Sequence, residues 1–304
     1  MHRSRRWWWI TPLIVLVVLA GAIIWASIPV AAMPEANAAT RSTVEVHVEK
    51  GPWLAFRPVG VEPTVGLIFY PGGKVDYRAY APYAQAIASQ GYLVVIVPMP
   101  FGLAVLAPGR ASGVISAFPA IRHWAVGGHS LGGAMAARYA YGHPTTVRGL
   151  VLWASYPASS DDLSRRDLRV VSISGTRDGL ATDDKIAASR PLLPANTQWV
   201  VIEGGNHGQF GWYGPQSGDQ EATISREGQQ EQTVAATTKL LADLAKGEEM
   251  TARLRDVMAP DFALSDTQGR MPALLIIDKA GWTRFQRYGN AMQDIVRNAK
   301  VLAL

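Results

Sequence analysis

The pattern of apolar and polar positions predicts strands and helices that alternate along the middle of the chain. Short apolar runs bounded by glycine, proline or polar residues are typical of strands that are buried on both faces. Strands that alternate with helices predict an α/β fold with a mostly parallel sheet. The predicted strands are residues 65–70, 92–97, 123–126, 147–153, 168–174 and 199–202, and the predicted helices are residues 79–90, 131–141, 182–189 and 231–246.

A longer apolar segment precedes this region. Residues 7–28 carry no charged side chain over 22 positions, which is enough to cross a bilayer as a helix. The preceding residues 1–6 include three arginines, and basic residues favour the cytoplasmic side of such a segment. We therefore expect a single-pass transmembrane helix or signal-anchor in the cell membrane, with the remaining chain extracytoplasmic. An Ala-x-Ala pattern that ends at Ala38 offers an alternative, in which a signal peptide is cleaved there and the protein is secreted.

The rest of the chain divides into three parts by composition. Residues 29–43, rich in alanine and proline, predict a linker, and residues 44–246 contain the α/β pattern. Residues 247–304 form a C-terminal extension, in which residues 273–277 predict one strand. The sequence assigns this extension no function.

Composition excludes several classes of function. The net charge is +5, and the three N-terminal arginines supply three of these charges. The remaining charge of about +2 is spread over the rest of the chain, so no basic patch indicates a nucleic-acid partner. The absence of cysteine excludes a disulfide, a thiolate metal site and a cysteine nucleophile. No metal-ligand spacing or cofactor fingerprint appears, so we expect no cofactor and no metal. The expected partners are a small-molecule acyl substrate and, through the N-terminal segment, a membrane.

The strongest chemical signal lies where one apolar run meets a helical segment. The residues Gly128-His129-Ser130-Leu131-Gly132 fit the pattern Gly-x-Ser-x-Gly. Small residues on both sides let a strand and a helix pass close to the strained turn that exposes the serine hydroxyl. Ser130 is therefore the candidate nucleophile. The pattern alone is only moderately specific, so the remaining chain has to supply its chemical partners.

A serine hydroxyl attacks efficiently when a base takes its proton and an acid orients that base. His207 follows a predicted strand directly and is the candidate base, and Asp178 follows the preceding strand and is the candidate acid. The order Ser130, Asp178, His207 is the one expected when the nucleophile occupies such a strand-to-helix turn. His129 adjoins the serine but is predicted to point elsewhere from the corner, in a structural role.

A tetrahedral intermediate also needs N–H donors for its oxyanion. The backbone N–H of Leu131, directly after the nucleophile, is the first candidate. The second donor is expected in the loop Pro71-Gly72-Gly73-Lys74, where Gly73 is the first choice and Lys74 the second.

Four segments together resemble the α/β-hydrolase superfamily, in particular a bacterial subgroup close to the dienelactone-hydrolase-like enzymes. They are residues 69–73, 127–133, 174–179 and 204–207. The resemblance covers about residues 44–246. It implies a mostly parallel sheet of eight strands flanked by helices, a triad of Ser130, Asp178 and His207, and oxyanion donors at Gly73 and Leu131. Dienelactone hydrolases use a cysteine nucleophile, which is absent here, so their substrate is not carried over.

These features predict a serine hydrolase that cleaves an ester or related acyl bond through an acyl-Ser130 intermediate, as a carboxylesterase or lipase does. Two alternatives remain at this point. One is a catalytically silent protein of the same fold that serves as a binding module. The other is a peptidase of the same fold. The aromatic residues considered for the pocket wall are Phe101, Phe210, Trp212 and Tyr213.

Overall fold

The computed structural model describes residues 11–17 and 28–258. The chain forms two compact units, Met1–Ala245 and Lys246–Leu304, and the described part of the second unit is helical. Residues 11–17 are helical as well (α1). No helix among the described residues combines the length and the apolar character needed to cross a membrane. Most of the predicted transmembrane segment 7–28 lies outside the described residues, as does the predicted strand at residues 273–277.

One sheet of eight strands forms the centre of the first unit. Its strand order is β1-β2-β4-β3-β5-β6-β7-β8. Strands β3 to β8 run parallel, while β1 and β2 pair antiparallel at one edge. The α/β architecture expected from the sequence is confirmed. The strands are β1 (Val46–Lys50), β2 (Leu54–Pro58), β3 (Val65–Tyr70), β4 (Leu93–Ile96), β5 (His123–His129), β6 (Val147–Trp153), β7 (Arg169–Gly175) and β8 (Gln198–Ile202).

Helices cover both faces of the sheet because its central strands are apolar on both sides. All six residues of β3 are buried, for example. Two apolar cores result, one on each face of the sheet. The remaining helices are α2 (Pro34–Ala38), α3 (Ala81–Ala88), α4 (Ala111–Ala117), α5 (Leu131–Gly142), α6 (Asp183–Ser189) and α7 (Arg226–Met258).

The parallel strands bring the sequence-predicted site residues to one edge of the sheet. β5 lies between β3 and β6, and Ser130 follows it directly. Gly73 follows β3, Asp178 follows β7 and His207 follows β8. Since the carboxyl ends of parallel strands lie along the same edge, residues far apart in sequence meet there.

The segment predicted as a linker, residues 29–43, contains α2 and pairs with the sheet's loops. Val30 forms a parallel bridge with Val75, and Ala32 forms an antiparallel bridge with Tyr213. Ala36 is fully buried. These contacts tie the segment to the loop after β3 and to the loop that follows His207.

Candidate active site

Ser130 occupies a strained turn between β5 and α5. Its backbone has φ 52° and ψ −124°, a combination that is unfavourable for a residue with a Cβ atom. The turn is held by β6 and the residues after it: Ser130 N donates to the Trp153 carbonyl at 3.0 Å, and Ser155 Oγ donates to the Ser130 carbonyl at 2.6 Å. The corner therefore keeps its conformation through hydrogen bonds from a neighbouring strand end.

The glycines around Ser130 are required by close backbone approach. A Cβ atom on Gly132 would lie 2.1 Å from the Tyr70 carbonyl oxygen and 2.3 Å from the Pro71 carbonyl oxygen. One on Gly128 would lie 2.5 Å from the carbonyl carbon of Gly132. Strand, helix and the loop after β3 thus meet at distances that only glycine allows.

Asp178 and His207 form a buried hydrogen-bonded pair. His207 Nδ1 lies 2.8 Å from Asp178 Oδ2, and both side chains are almost fully buried. The second carboxylate oxygen of Asp178 accepts N–H groups from Leu180 at 2.8 Å and from Ala181 at 2.7 Å. Because both carboxylate oxygens of Asp178 accept hydrogen bonds from N–H donors, the imidazole is held with Nδ1 as the donor, and Nε2 is left as the basic nitrogen.

His207 Nε2 is buried and has no hydrogen-bond partner among the described residues. The structure brings His207 and Ser130 into the walls of the same cleft, without a hydrogen bond between their side chains. Hydrogen bonds of this kind are often long or unaligned in the absence of substrate.

Asp219, which the sequence reasoning did not single out, connects the two loops that carry Asp178 and His207. One carboxylate oxygen accepts N–H groups from Gly179 at 3.1 Å and from His207 at 3.2 Å. The other accepts Gly208 N at 2.8 Å. A single carboxylate therefore fixes the spacing of the loops. Its position within a polar loop offered no pattern by which it could have been found.

His129 contacts the site rather than pointing away from it. Its ring centroid is 4.4 Å from that of His207, and its Nδ1 lies 2.8 Å from the hydroxyl of Tyr80. The same hydroxyl accepts Gly72 N at 2.9 Å, so its own proton is directed to His129 Nδ1. Burial, reinforced by repulsion from His207, lowers the pKa of His129 well below its ordinary value. The expectation that His129 points elsewhere is thus not what the structure shows, because the corner turns this ring inward onto His207.

The loop after β3 lies against the residue that follows the serine. A Cβ atom on Gly73 would be 3.2 Å from Leu131 Cδ2. Lys74 N donates to the Gly102 carbonyl at 2.8 Å, so it is already engaged. Within the described part of the chain, the N–H groups of Gly73 and Leu131 have no acceptor. Of the two candidates in this loop, Gly73 therefore has the free N–H group.

A cleft of about 290 Å³ opens at Ser130. Tyr156 is its aromatic wall residue, and the aromatic residues considered from the sequence do not line it: Phe210 and Tyr213 are buried, and Phe101 is exposed on the surface. In the described residues, no group of three or more histidine, aspartate and glutamate side chains could hold a metal ion. The cleft is lined by Ser130, Leu131, Ala134, Ala154, Ser155, Tyr156, Leu180, Ala181 and His207.

A strained serine corner between a central strand and a helix, in a mostly parallel sheet of eight strands, defines the α/β-hydrolase class of fold. The family model described as "Alpha/beta hydrolase family" matches residues 66–231, more than half of the chain. The chain therefore belongs to the α/β hydrolase family. No curated protein matches its sequence.

Three solved structures are similar to this chain at low sequence identity. A predicted CIB-like hydrolase from Thermoplasma acidophilum is 12% identical with a TM-score of 0.50, covering 64% of this chain and 99% of that chain. A putative α/β hydrolase from Agrobacterium tumefaciens is 15% identical with a TM-score of 0.48, covering 67% and 97%. The dienelactone hydrolase from Anabaena variabilis is 17% identical with a TM-score of 0.45, covering 54% and 88%.

Proposed function

We propose that the protein is a serine hydrolase that cleaves an ester or related acyl bond through an acyl-Ser130 intermediate. The observation that carries this proposal is the buried hydrogen bond of 2.8 Å between His207 Nδ1 and Asp178 Oδ2, next to the cleft that Ser130 lines. A carboxylate that orients a histidine beside a strained serine is the arrangement that acyl transfer needs. A catalytically silent binding protein has no need for it.

In the first half of the reaction, His207 Nε2 takes the Ser130 Oγ proton while Oγ bonds to the acyl carbon. The substrate's carbonyl oxygen becomes an oxyanion, which accepts hydrogen bonds from the N–H groups of Gly73 and Leu131. The bond to the leaving oxygen then breaks, and that oxygen takes the proton from His207. The alcohol departs and the acyl group stays on Ser130.

In the second half, water gives a proton to His207 Nε2 and attacks the acyl carbon. The second tetrahedral intermediate collapses, and Ser130 Oγ leaves with the proton that His207 returns. The products are the carboxylic acid and the free enzyme. Asp178 orients His207 through its hydrogen bond to Nδ1 and stabilises the protonated form of that ring.

The dimensions of the cleft support a short acyl group. Its volume of about 290 Å³ is at the lower end for a small-molecule site, and most of its wall residues are apolar. We therefore propose esters with short acyl chains as the preferred substrates.

The test combines covalent labelling with an ester series. A fluorophosphonate probe is expected to modify the folded protein at Ser130 and not to modify Ser130→Ala. Hydrolysis of esters graded by acyl length, with matched amides, should be fastest for short esters and absent in Ser130→Ala. Asp178→Asn should lower kcat by about 10⁴-fold, since the histidine loses its orienting acceptor. Folded wild-type protein that resists the probe and hydrolyses no ester would contradict the proposal, and faster hydrolysis of amides would indicate a peptidase.

The proposal includes a location. We propose that the segment 7–28 anchors the chain in the cell membrane with the catalytic domain outside the cytoplasm. Cleavage after Ala38 would remove Val30 and Ala32, which pair with Val75 and Tyr213. That loss supports an anchor over a cleaved signal. Mass spectrometry of the isolated protein checks it: a mature N-terminus at residue 39 would contradict the anchor.

A further inference from the structure

Exposed apolar side chains concentrate beside the cleft. Ten large hydrophobic side chains between residues 28 and 246 are exposed, and five of these ten lie on two short segments. We name these five the apolar rim. Scattered exposed apolar residues are ordinary, but a concentration next to a site indicates a surface that meets something apolar. The apolar rim consists of Ile28, Val30, Phe101, Val105 and Leu106.

The two segments, residues 28–30 and 101–106, are joined through hydrogen bonds to one residue, Lys74. Its N–H donates to the Gly102 carbonyl at 2.8 Å, and its carbonyl accepts Val30 N at 2.7 Å. Lys74 directly follows Gly73, whose added Cβ would lie 4.0 Å from Leu103 Cδ2. The apolar rim therefore borders the loop that carries the proposed oxyanion donor.

The backbone holds the Phe101 ring outward at a conformational cost. Phe101 has φ 52° and is 63% exposed. The next residue, Gly102, is pressed against Lys74, since an added Cβ would lie 3.2 Å from Lys74 Cα. A phenylalanine in the left-handed region has a strained backbone, and an aromatic ring in solvent is unfavourably hydrated. Both costs indicate that the exposed ring has a function.

The position of the apolar rim in the chain identifies its occupant. Ile28 is the last residue of the apolar segment 7–28, and Val30 follows two residues later. Any bilayer that holds residues 7–28 lies within a few residues of the apolar rim. Lys74, half-buried, and Arg110, exposed at the end of the same loop region, add positive charge that suits anionic headgroups.

We infer that the apolar rim docks on the lipid bilayer, at the boundary between headgroups and acyl chains. The inference rests on the proposed function and on its membrane anchor. Docking places the mouth of the Ser130 cleft at the membrane surface, so the substrates are esters of amphiphilic molecules that partition into the lipid interface.

The absence of cysteine allows a direct test on the full chain. Phe101→Cys and Leu106→Cys each accept one environment-sensitive fluorophore. The matched control is Val59→Cys, because Val59 is 53% exposed, against 63% for Phe101 and 56% for Leu106. Val59 follows β2, which runs antiparallel to β4, so it lies at the opposite end of the parallel strands. Each protein is reconstituted into vesicles of phosphatidylcholine and phosphatidylglycerol, with and without lipids that carry a nitroxide near the headgroup.

Docking predicts blue-shifted emission and nitroxide quenching at positions 101 and 106, and water-like, unquenched emission at position 59. Water-like emission at all three positions overturns the inference. A blue shift of the emission that appears only after reaction with a long-chain alkyl phosphonate also overturns the inference. It would show that the apolar rim binds the alkyl chain of the substrate and not the bilayer. A shift that depends on protein density in the membrane overturns it as well, in favour of a second copy.

Activity supplies an independent readout. The ratio of hydrolysis of a vesicle-borne ester to that of a soluble ester should fall about fivefold in Phe101→Ser/Leu106→Ser, as expected for partial loss of apolar contact. Val59→Ser should leave that ratio unchanged. Fluorophosphonate labelling of Ser130 in every variant separates the two failures. Labelled protein without docking contradicts this inference alone, and docked protein that resists labelling contradicts the proposed function alone.

Discussion

At the scale of single residues, backbone strain collects around the cleft. Four non-glycine residues of the described chain have positive φ: Lys74, Phe101, Ser130 and Ala154. Ser130 and Ala154 line the cleft, and Lys74 follows the proposed oxyanion donor and bonds the residue after Phe101. Strain of this kind persists where the surrounding contacts enforce it and where function uses it.

The strain at Ser130 predicts that glycine there stabilises the fold. Ser130→Gly should unfold with a free energy about 1 kcal/mol higher than Ser130→Ala, because glycine adopts a positive φ without a steric penalty. Both variants should be inactive. Urea denaturation measures the difference. Equal stability of the two variants would show that the corner is not strained.

Tyr80 connects the loop after β3 to the ring of His129, which packs on His207. Tyr80→Phe removes the acceptor of Gly72 N and the donor to His129 Nδ1, both buried. We expect a loss of about 1–3 kcal/mol in unfolding free energy and a lower kcat, since the loop before Gly73 loses its anchor. Tyr139→Phe is the control, because its hydroxyl bonds the part-buried Ser112 Oγ far along α5. An equal effect on kcat in both variants would contradict this role.

At the scale of elements, the site depends on loops joined by one carboxylate. Asp219→Ala leaves the N–H groups of Gly179, His207 and Gly208 without their acceptor. We expect kcat to fall at least about tenfold, because a small displacement of His207 disturbs proton transfer. Asp219→Asn, which keeps one oxygen acceptor, should recover part of the activity. The exposed Asp167→Ala serves as control. Unchanged kcat in Asp219→Ala would show that the loops hold their spacing without it.

Helix α5 provides a matched pair of glycines for testing the close approach at its start. Gly132→Ala should destabilise the protein by about 3 kcal/mol or more, since its Cβ would lie 2.1 Å from the Tyr70 carbonyl oxygen. Gly142→Ala, at the other end of α5, meets nothing within 4 Å. It should be neutral or stabilising by up to about 1 kcal/mol. Denaturant unfolding compares them, and a tolerated Gly132→Ala would contradict the packing described.

At the scale of the whole molecule, local signals in the sequence were sufficient for the sheet and for placing the three candidate residues after strand ends. The strands at residues 65–70 and 147–153 have the predicted bounds because continuous apolar runs mark buried strands. Asp178 and His207 were predicted from their positions after strands and from their order after Ser130. The contact of His129 with Tyr80 spans 49 residues, and that of Asp219 with Gly179 spans 40. Such contacts depend on how loops meet in three dimensions, so no local sequence pattern predicts them.

Buried ionisable groups predict how the stability of the first unit depends on pH. Burial lowers the pKa of His129, so below about pH 6.5 the unfolded chain binds a proton there that the folded chain does not. The free energy of unfolding should then fall as the pH decreases, by up to about 1.4 kcal/mol per pH unit from this group. Burial raises the pKa of Tyr80, Tyr83 and Tyr213, so above about pH 10 the unfolded chain loses protons that the folded chain keeps.

Stability should therefore decline on both sides of a plateau between these limits. Urea unfolding across this pH range measures the curve. His129→Asn, whose side-chain oxygen can still accept the Tyr80 proton, should flatten the acid limb and leave the alkaline limb unchanged. If the acid limb has the same slope in His129→Asn as in the wild type, other groups cause the loss of stability at low pH. Burial of His129 beside His207 would then not contribute to the pH dependence of the free energy of unfolding.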